Sequence, residues 1–254
     1  MSSASQYEIQ NIADLLANAR HAVVLTGAGF STPSGIPDFR SQNTGLWSRS
    51  DPMEVASLTA FRFHPDKFFN WLHPLAQSIW QAHPNPGHYA LAQLQQAGLV
   101  KAILTQNIDG LHQQAGSVDV CEVHGSLEEL LCPACGRVFP AAAYRDAFLQ
   151  RKEFPTCPDC RRYLKPGIVL YEEMLPPDVW ATAQWHAENA DLFIVAGSSL
   201  EVGPVNYLPQ IALEHRATAV VINLSETYLD PRAAIVLRAD IAAAFPQIAT
   251  VLVT

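Results

Sequence analysis

Four short apolar runs, HAVVLT (21–26), VKAILT (100–105), DLFIVAG (191–197) and AVVINL (219–224), constrain this chain more than any other feature. Each is aliphatic or β-branched with little polar alternation, the pattern of a strand buried on both faces. Segments with helical spacing precede the first three: IQNIADLLANA, YALAQLQQAG and WATAQWHAENA, the second closing on a glycine stop. Doubly buried strands that alternate with helices pack as a doubly wound parallel sheet, so the predicted fold class is α/β with a Rossmann-like frame. Of the 254 residues 49% are hydrophobic and 16% charged, enough apolar material for a substantial core.

Two blocks interrupt the alternation. Residues 41–84, rich in Phe, Trp, His and Pro, read as a helical insertion, and residues 128–167 carry most of the cysteines. The remaining stretches, 1–40, 85–127 and 168–254, make up the sheet domain. Cys132, Cys135, Cys157 and Cys160 form two C-x-x-C pairs, CPAC and CPDC, with 21 residues between them. Each pair offers two thiolates from one tight knuckle, and two knuckles close a four-sulfur tetrahedral shell with no position left for water. Such a zinc site is structural, and it holds a block too small to stand by itself. Cys121, in the apolar run VDVCEV, is expected in a buried strand without a metal role.

A formal net charge of −8 disfavours a broad grip on nucleic acid and suits a cationic partner such as a lysine-bearing protein tail. The stretch MSSASQYEIQ lacks the basic start and apolar core of a secretory signal, and no apolar run reaches the about 18 residues of a membrane span, so a cytoplasmic protein is expected.

The loop TGAGFSTPSGIPDFR (26–40) follows the first strand directly. Gly27 and Gly29 would allow the backbone to approach a diphosphate. Thr32 stands where the dinucleotide fingerprint wants its third glycine, and Pro33 and Pro37 prevent a helix from following, so this is not the hydride-transfer form of the motif. A bare GAG is also a tight turn; the acid, ring and guanidinium of Asp38, Phe39 and Arg40 are more chemistry than a turn requires. Two further segments fall at the ends of predicted strands, where open α/β sheets bind ligands: TQNIDGLH (105–112), with Gln106, Asn107 and Asp109, and EVHGS (122–126), with His124. Each would be unremarkable as a solvated turn; their shared placement points to one site.

GAGFSTPSGIPDFR, TQNIDGLH, EVHGS, the paired C-x-x-C motifs, KPGIVLYEE, GSSLEV and VINL together resemble the sirtuins, the NAD-dependent protein lysine deacylases, in order and spacing from about residue 10 to the end. The resemblance implies a Rossmann-like domain, a small zinc domain, and a cleft between them where NAD meets an acyl-lysine peptide. It implies that Ala28, Gly29, Thr32, Phe39 and Arg40 line a loop over NAD, braced by Asp38. Gln106, Asn107, Ile108 and Asp109 would surround the nicotinamide and its ribose. Gly197, Ser198 and Ser199, with Asn223, Leu224 and Ile241, would hold the phosphates and the adenosine. Val169 and Tyr171 would pair with the peptide and wall the acyl-lysine tunnel, and His124 would be the general base, a task suited to a reference pKa near 6.5.

The chain departs from the family pattern at YEE, where Glu172 replaces the glycine of FGE, and at Gly167, where Asn or Asp is common. Relatives that remove acidic acyl groups carry a Tyr and an Arg three residues apart on the inserted helix; here Leu72 and Leu75 are read at those positions, which predicts neutral acyl groups, acetyl first. The rival readings are a protein ADP-ribosyltransferase on the same scaffold and a catalytically silent NAD-sensing module. Product analysis separates the first, and the pairing of His124 with Asn107 speaks against the second.

Overall fold

A computed structural model of the chain describes residues 3–38 and 51–253. The strands are β1 (Ala22–Thr26), β2 (Ala102–Thr105), β3 (Val120–Glu122), β4 (Gly125–Leu131), β5 (Val138–Pro140), β6 (Lys165–Ile168), β7 (Leu192–Ala196), β8 (Thr218–Ile222) and β9 (Ile235–Leu237). The helices are α1 (Ser3–Asn18), α2 (Pro52–Val55), α3 (Leu58–Phe63), α4 (Pro65–Gln81), α5 (Pro86–Gln96), α6 (Leu111–Gln114), α7 (Arg145–Arg151), α8 (Pro177–Asn189), α9 (Leu208–Glu214) and α10 (Ile241–Leu252). All four apolar runs are strands and the three helical segments lie in α1, α5 and α8. Cys121 sits in β3, as its apolar run predicts. The short edge strand β9 was not among the predicted strands.

Six strands form one parallel sheet in the order β3-β2-β1-β7-β8-β9. Alternate residues of the buried strands feed opposite cores, which is why their sequence shows no polar face. Val24, Ile103, Ile194 and Val220 pack with Leu16, Leu91 and Phe245 from α1, α5 and α10. Val23, Leu25, Phe193 and Val195 pack with Ala183 of α8 and Leu208 of α9. The register sets Thr26 against Thr105 and Ala196, and Ala196 against Ile222, so four strands end level. The strands build outward from β1 through β2 to β3 on one side and from β7 through β8 to β9 on the other, and the loops at the switch point between β1 and β7 part to leave a crevice.

A second, antiparallel sheet, β5-β4-β6, carries the cysteines. Phe69 and Leu72 of α4 pack against Leu127 of β4, Phe148 of α7 and Ile168 of β6, joining the helical insertion to this block. Among the described residues no helix is long and apolar enough to cross a membrane.

Candidate active site

The crevice is a cavity of about 1170 Å³ beyond the level strand ends. After β1 its wall holds Ala28, Gly29, Thr32 and Asp38, and after β2 Gln106, Asn107, Ile108 and Asp109. Gly197, Ser198 and Ser199 follow β7, Asn223 and Leu224 follow β8, and Ile241 opens α10. His124, Val169 and Tyr171 close the far side. Phe39 and Arg40 lie outside the described residues.

Gly27 is absent from the wall while Gly29 is on it, and both glycines have a packing role that the motif alone does not announce. A Cβ on Gly27 would lie 2.9 Å from the Ser198 Cβ, one on Gly29 2.9 Å from the Gly197 carbonyl oxygen, and one on Gly197 (φ +61°) 2.4 Å from the Phe30 nitrogen. The Gly29 N–H donates to the Gly197 carbonyl at 2.8 Å. These glycines let the β1 and β7 loops stack on each other, and the stacked pair then forms one wall. No helix follows GAG; two single 3₁₀ turns, Ala28–Phe30 and Thr32–Ser34, take its place, as the prolines require.

Ser31, which the motif reading passed over, is the hub of the polar network. Its buried hydroxyl donates to Asp109 Oδ2 at 2.7 Å and accepts from Asn107 Nδ2 at 3.0 Å. Asn107 Nδ2 also donates to the Gly27 carbonyl at 3.0 Å, so both amide hydrogens are spent and Oδ1 is left as the acceptor available to a ligand. Asp109 uses its other oxygen to accept from the Leu111 N–H at 2.9 Å. Burial raises the Asp109 pKa while the Leu111 and Ser31 hydrogen bonds oppose the rise. With both oxygens engaged, Asp109 braces Asn107 through Ser31. Gln106 Nε2 donates to Ser198 Oγ at 2.9 Å, tying the β2 loop to the β7 loop.

His124 occupies the turn from β3 into β4. Gly125 makes this turn possible: at φ +74° its Cβ would fall 2.0 Å from the Gly167 carbonyl oxygen. His124 Nδ1 lies 3.0 Å from the Gln106 carbonyl oxygen. A carbonyl only accepts, so Nδ1 carries the proton and Nε2 is left as a base. Burial lowers the ring's pKa below its ordinary value, partly countered by that hydrogen bond, and keeps the imidazole neutral at pH 7.

The opposite wall is the segment after β6. The Val169 N–H donates to the His124 carbonyl at 2.8 Å, and Tyr171 pairs with the insertion through Tyr171 N–H to Ala56 O and Leu58 N–H to Tyr171 O. The α4 residues on the cavity are Trp71, Leu75 and Ile79, spaced by four along one face. Leu72 is a correction: as buried as Leu75, it lies one step round the helix and borders not the cavity but a separate void of about 10 Å³ with Phe69, Trp80 and Phe148. It packs the insertion on the cysteine block, and Trp71 stands on the wall in its stead.

The ligating sulfurs of Cys132, Cys135, Cys157 and Cys160 all lie within 4.8 Å of one another. Zinc–sulfur bonds of about 2.3 Å in a tetrahedron need sulfurs slightly under 4 Å apart, so the cluster fits a Cys₄ zinc with small adjustment. The two knuckles repeat one hydrogen-bond pattern. Cys132 N–H bonds Arg137 O and Gly136 N–H bonds Cys132 O; Cys157 N–H bonds Arg162 O and Arg161 N–H bonds Cys157 O.

The family model of the Sir2 family matches residues 27–204. An NAD-dependent protein deacetylase of Oceanobacillus iheyensis is 42% identical over 219 residues, 86% of this chain and 90% of its own. NAD-dependent protein deacylase 2 of Archaeoglobus fulgidus is 43% identical over 225 residues, 88% of both chains. Among solved structures, a Sir2–p53 peptide–NAD+ complex superimposes with a TM-score of 0.85 at 37% identity, covering 94% of this chain and 96% of that one.

Proposed function

Because the chain belongs to the Sir2 family, we propose that it is an NAD-dependent protein lysine deacetylase that yields nicotinamide, O-acyl-ADP-ribose and free lysine. The observation that carries this reading is His124: a neutral imidazole, fixed with Nε2 as its basic atom, on the wall of the same cavity as Asn107. When bound, NAD supplies the ribose that accepts the acyl group and the nicotinamide that leaves. His124 Nε2 takes the proton of a ribose hydroxyl, and the Gln106 carbonyl steadies the ring as it gains charge. Asn107 Oδ1 positions the ribose, with Gln106, Ile108 and Asp109 around the nicotinamide. Ala28, Gly29, Thr32, Asp38, Phe39 and Arg40 cover the cofactor, while Gly197, Ser198, Ser199, Asn223, Leu224 and Ile241 hold its phosphates and adenosine. The Val169 carbonyl, to which no described residue donates, accepts from the acyl-lysine amide, and Tyr171 walls the tunnel.

In this reading residues 1–40, 85–127 and 168–254 form the NAD-binding domain, 41–84 the helical insertion, and 128–167 the small domain whose four cysteines hold zinc. A reducing, cytoplasmic setting suits four ligating thiolates. Incubation with NAD and an acetylated peptide, followed by weighing both products, tests the activity. A peptide lighter by one acetyl group with O-acetyl-ADP-ribose supports it; a peptide heavier by ADP-ribose points to the transferase instead. The face of Trp71, Leu75 and Ile79 offers a carboxylate no cationic counter-charge, so succinyl-lysine should turn over far more slowly than acetyl-lysine. Equal rates would remove the assignment of neutral acyl groups.

A further inference from the structure

Glu172 stands where the sirtuin pattern has glycine, and the backbone there keeps the conformation glycine favours, φ +73°. A side chain in this left-handed region costs about 1 kcal/mol, so the carboxylate must be stabilised elsewhere to be free of penalty. Its Oε2 accepts from the Thr59 N–H at 2.8 Å. Thr59 belongs to the first turn of α3, whose amides have no partner within the helix. Leu58 N–H donates to the Tyr171 carbonyl, Thr59 N–H to Glu172, and Ala60 N–H to the N-cap Ser57 Oγ. Two of the three are therefore met by residues 171 and 172.

Glu173 works on the other side. Its Oε2 accepts from Lys165 Nζ and from the Leu170 N–H, both at 2.9 Å. Lys165 Nζ also donates to the Ile168 carbonyl at 2.6 Å and the Pro166 carbonyl at 3.1 Å. Its side chain is 15% exposed, so this ion pair is less screened than a surface one. The stretch between these anchors contains Val169 and Tyr171.

We propose that Glu172 and Glu173 form a two-sided clasp, to the helical insertion and to β6, that holds the Ile168–Tyr171 segment ready for acyl-lysine; both are positioning residues. The inference rests on the reading of Val169 and Tyr171 as peptide contacts. Its consequence is selective: an unclasped segment weakens peptide binding and leaves the NAD side of the cavity intact, because among the described residues Glu172 and Glu173 reach Thr59, Lys165 and Leu170, none of which lies in the β1, β7 or β8 loops.

The test compares Glu172→Ala, Glu172→Gly, Glu172→Gln and Glu173→Gln in the full chain. Losing a capping hydrogen bond should raise the peptide KM about three- to tenfold in Glu172→Ala and Glu172→Gly, with kcat and the KM for NAD within about twofold. Glu172→Gln keeps a carbonyl acceptor for Thr59 and should restore most of the peptide KM. Glu173→Gln leaves Lys165 without its counter-charge and should raise the peptide KM by about tenfold. Hydrogen exchange at the Thr59 amide, which needs no turnover, should quicken in the Ala and Gly variants but not in Gln. A wild-type peptide KM in Glu172→Gly would overturn the proposal, since the backbone alone would suffice; so would unchanged Thr59 exchange in Glu172→Ala. If the wild type removes no acyl group, the deacetylase reading fails, and Thr59 exchange still decides the clasp.

Discussion

The parallel sheet buries Phe30, Phe193 and Phe245 with two layers of aliphatic side chains, whereas the cysteine block gathers Leu130, Ala141 and Leu164 around Cys132 and Cys157. One region is held by apolar burial at roughly 25 cal/mol per Å², the other by a metal shell that five or six side chains cannot replace. The difference teaches where the chain tolerates damage. Polar residues at the rim of the sheet can change with the fold intact, because the hydrophobic cores beneath do not depend on them. Ligands in the block cannot, because binding and folding there are one equilibrium.

The largest expected effect falls on the block. Cys132→Ala or Cys157→Ala should abolish stoichiometric zinc and unfold the small domain, read by metal analysis and proteolysis. Undiminished zinc in either variant would dissolve the contrast. On the sheet side, His124→Ala should lower turnover about 10²–10⁴-fold while thermal unfolding and NAD affinity hardly move. Exchange of labelled nicotinamide sharpens it further: if His124 acts after nicotinamide leaves, exchange should survive better than net deacetylation, and equal loss of both would place it in the first step.

The next effect concerns acid. His88 and His112 lie fully buried beneath Phe30, with ring centroids 4.9 Å apart, and burial holds His88 at about 4 and His112 well below its ordinary value. The unfolded chain binds their protons below about pH 6.5 and the folded chain does not, so stability falls as pH drops from there toward 4. His88 alone should account for about 3 kcal/mol over that interval. Denaturant midpoints at pH 7 and pH 4.5 check this, and His88→Gln should flatten the profile. The smallest effect compares the two knuckles, in which Gly136 (φ +72°) and Arg161 (φ +55°) occupy equivalent turns. Gly136→Ala should destabilise the block by about 1 kcal/mol, and Arg161→Gly should change it by less, since glycine relieves the turn but loosens the unfolded chain.

The strands and most of the cavity wall were legible because their signals are local. A doubly buried strand is a continuous apolar run, a Cys₄ shell is two spaced pairs, and TQNIDGLH and EVHGS place polar side chains directly after such runs. Ser31 was not legible: a hydroxyl inside GFST has no local mark, and its partners Asn107 and Asp109 lie far along the chain. Leu72 and Leu75 are indistinguishable as letters, three apart on one helix and both in one buried cluster, and only what packs against α4 decides that Leu75 also borders the cavity while Leu72 does not.

By itself, then, the sequence determined the alternating α/β frame, the zinc ligands and the loops that gather at the strand ends, since periodicity and ligand spacing are properties of short stretches. Tertiary structure decided that Gly27, Gly29 and Gly197 serve loop stacking, that Gln106 fixes which nitrogen of His124 is basic, and that Glu172 reaches Thr59. Each of these depends on a contact between segments distant in the chain, and such contacts exist only once the sheet has set the strand ends level.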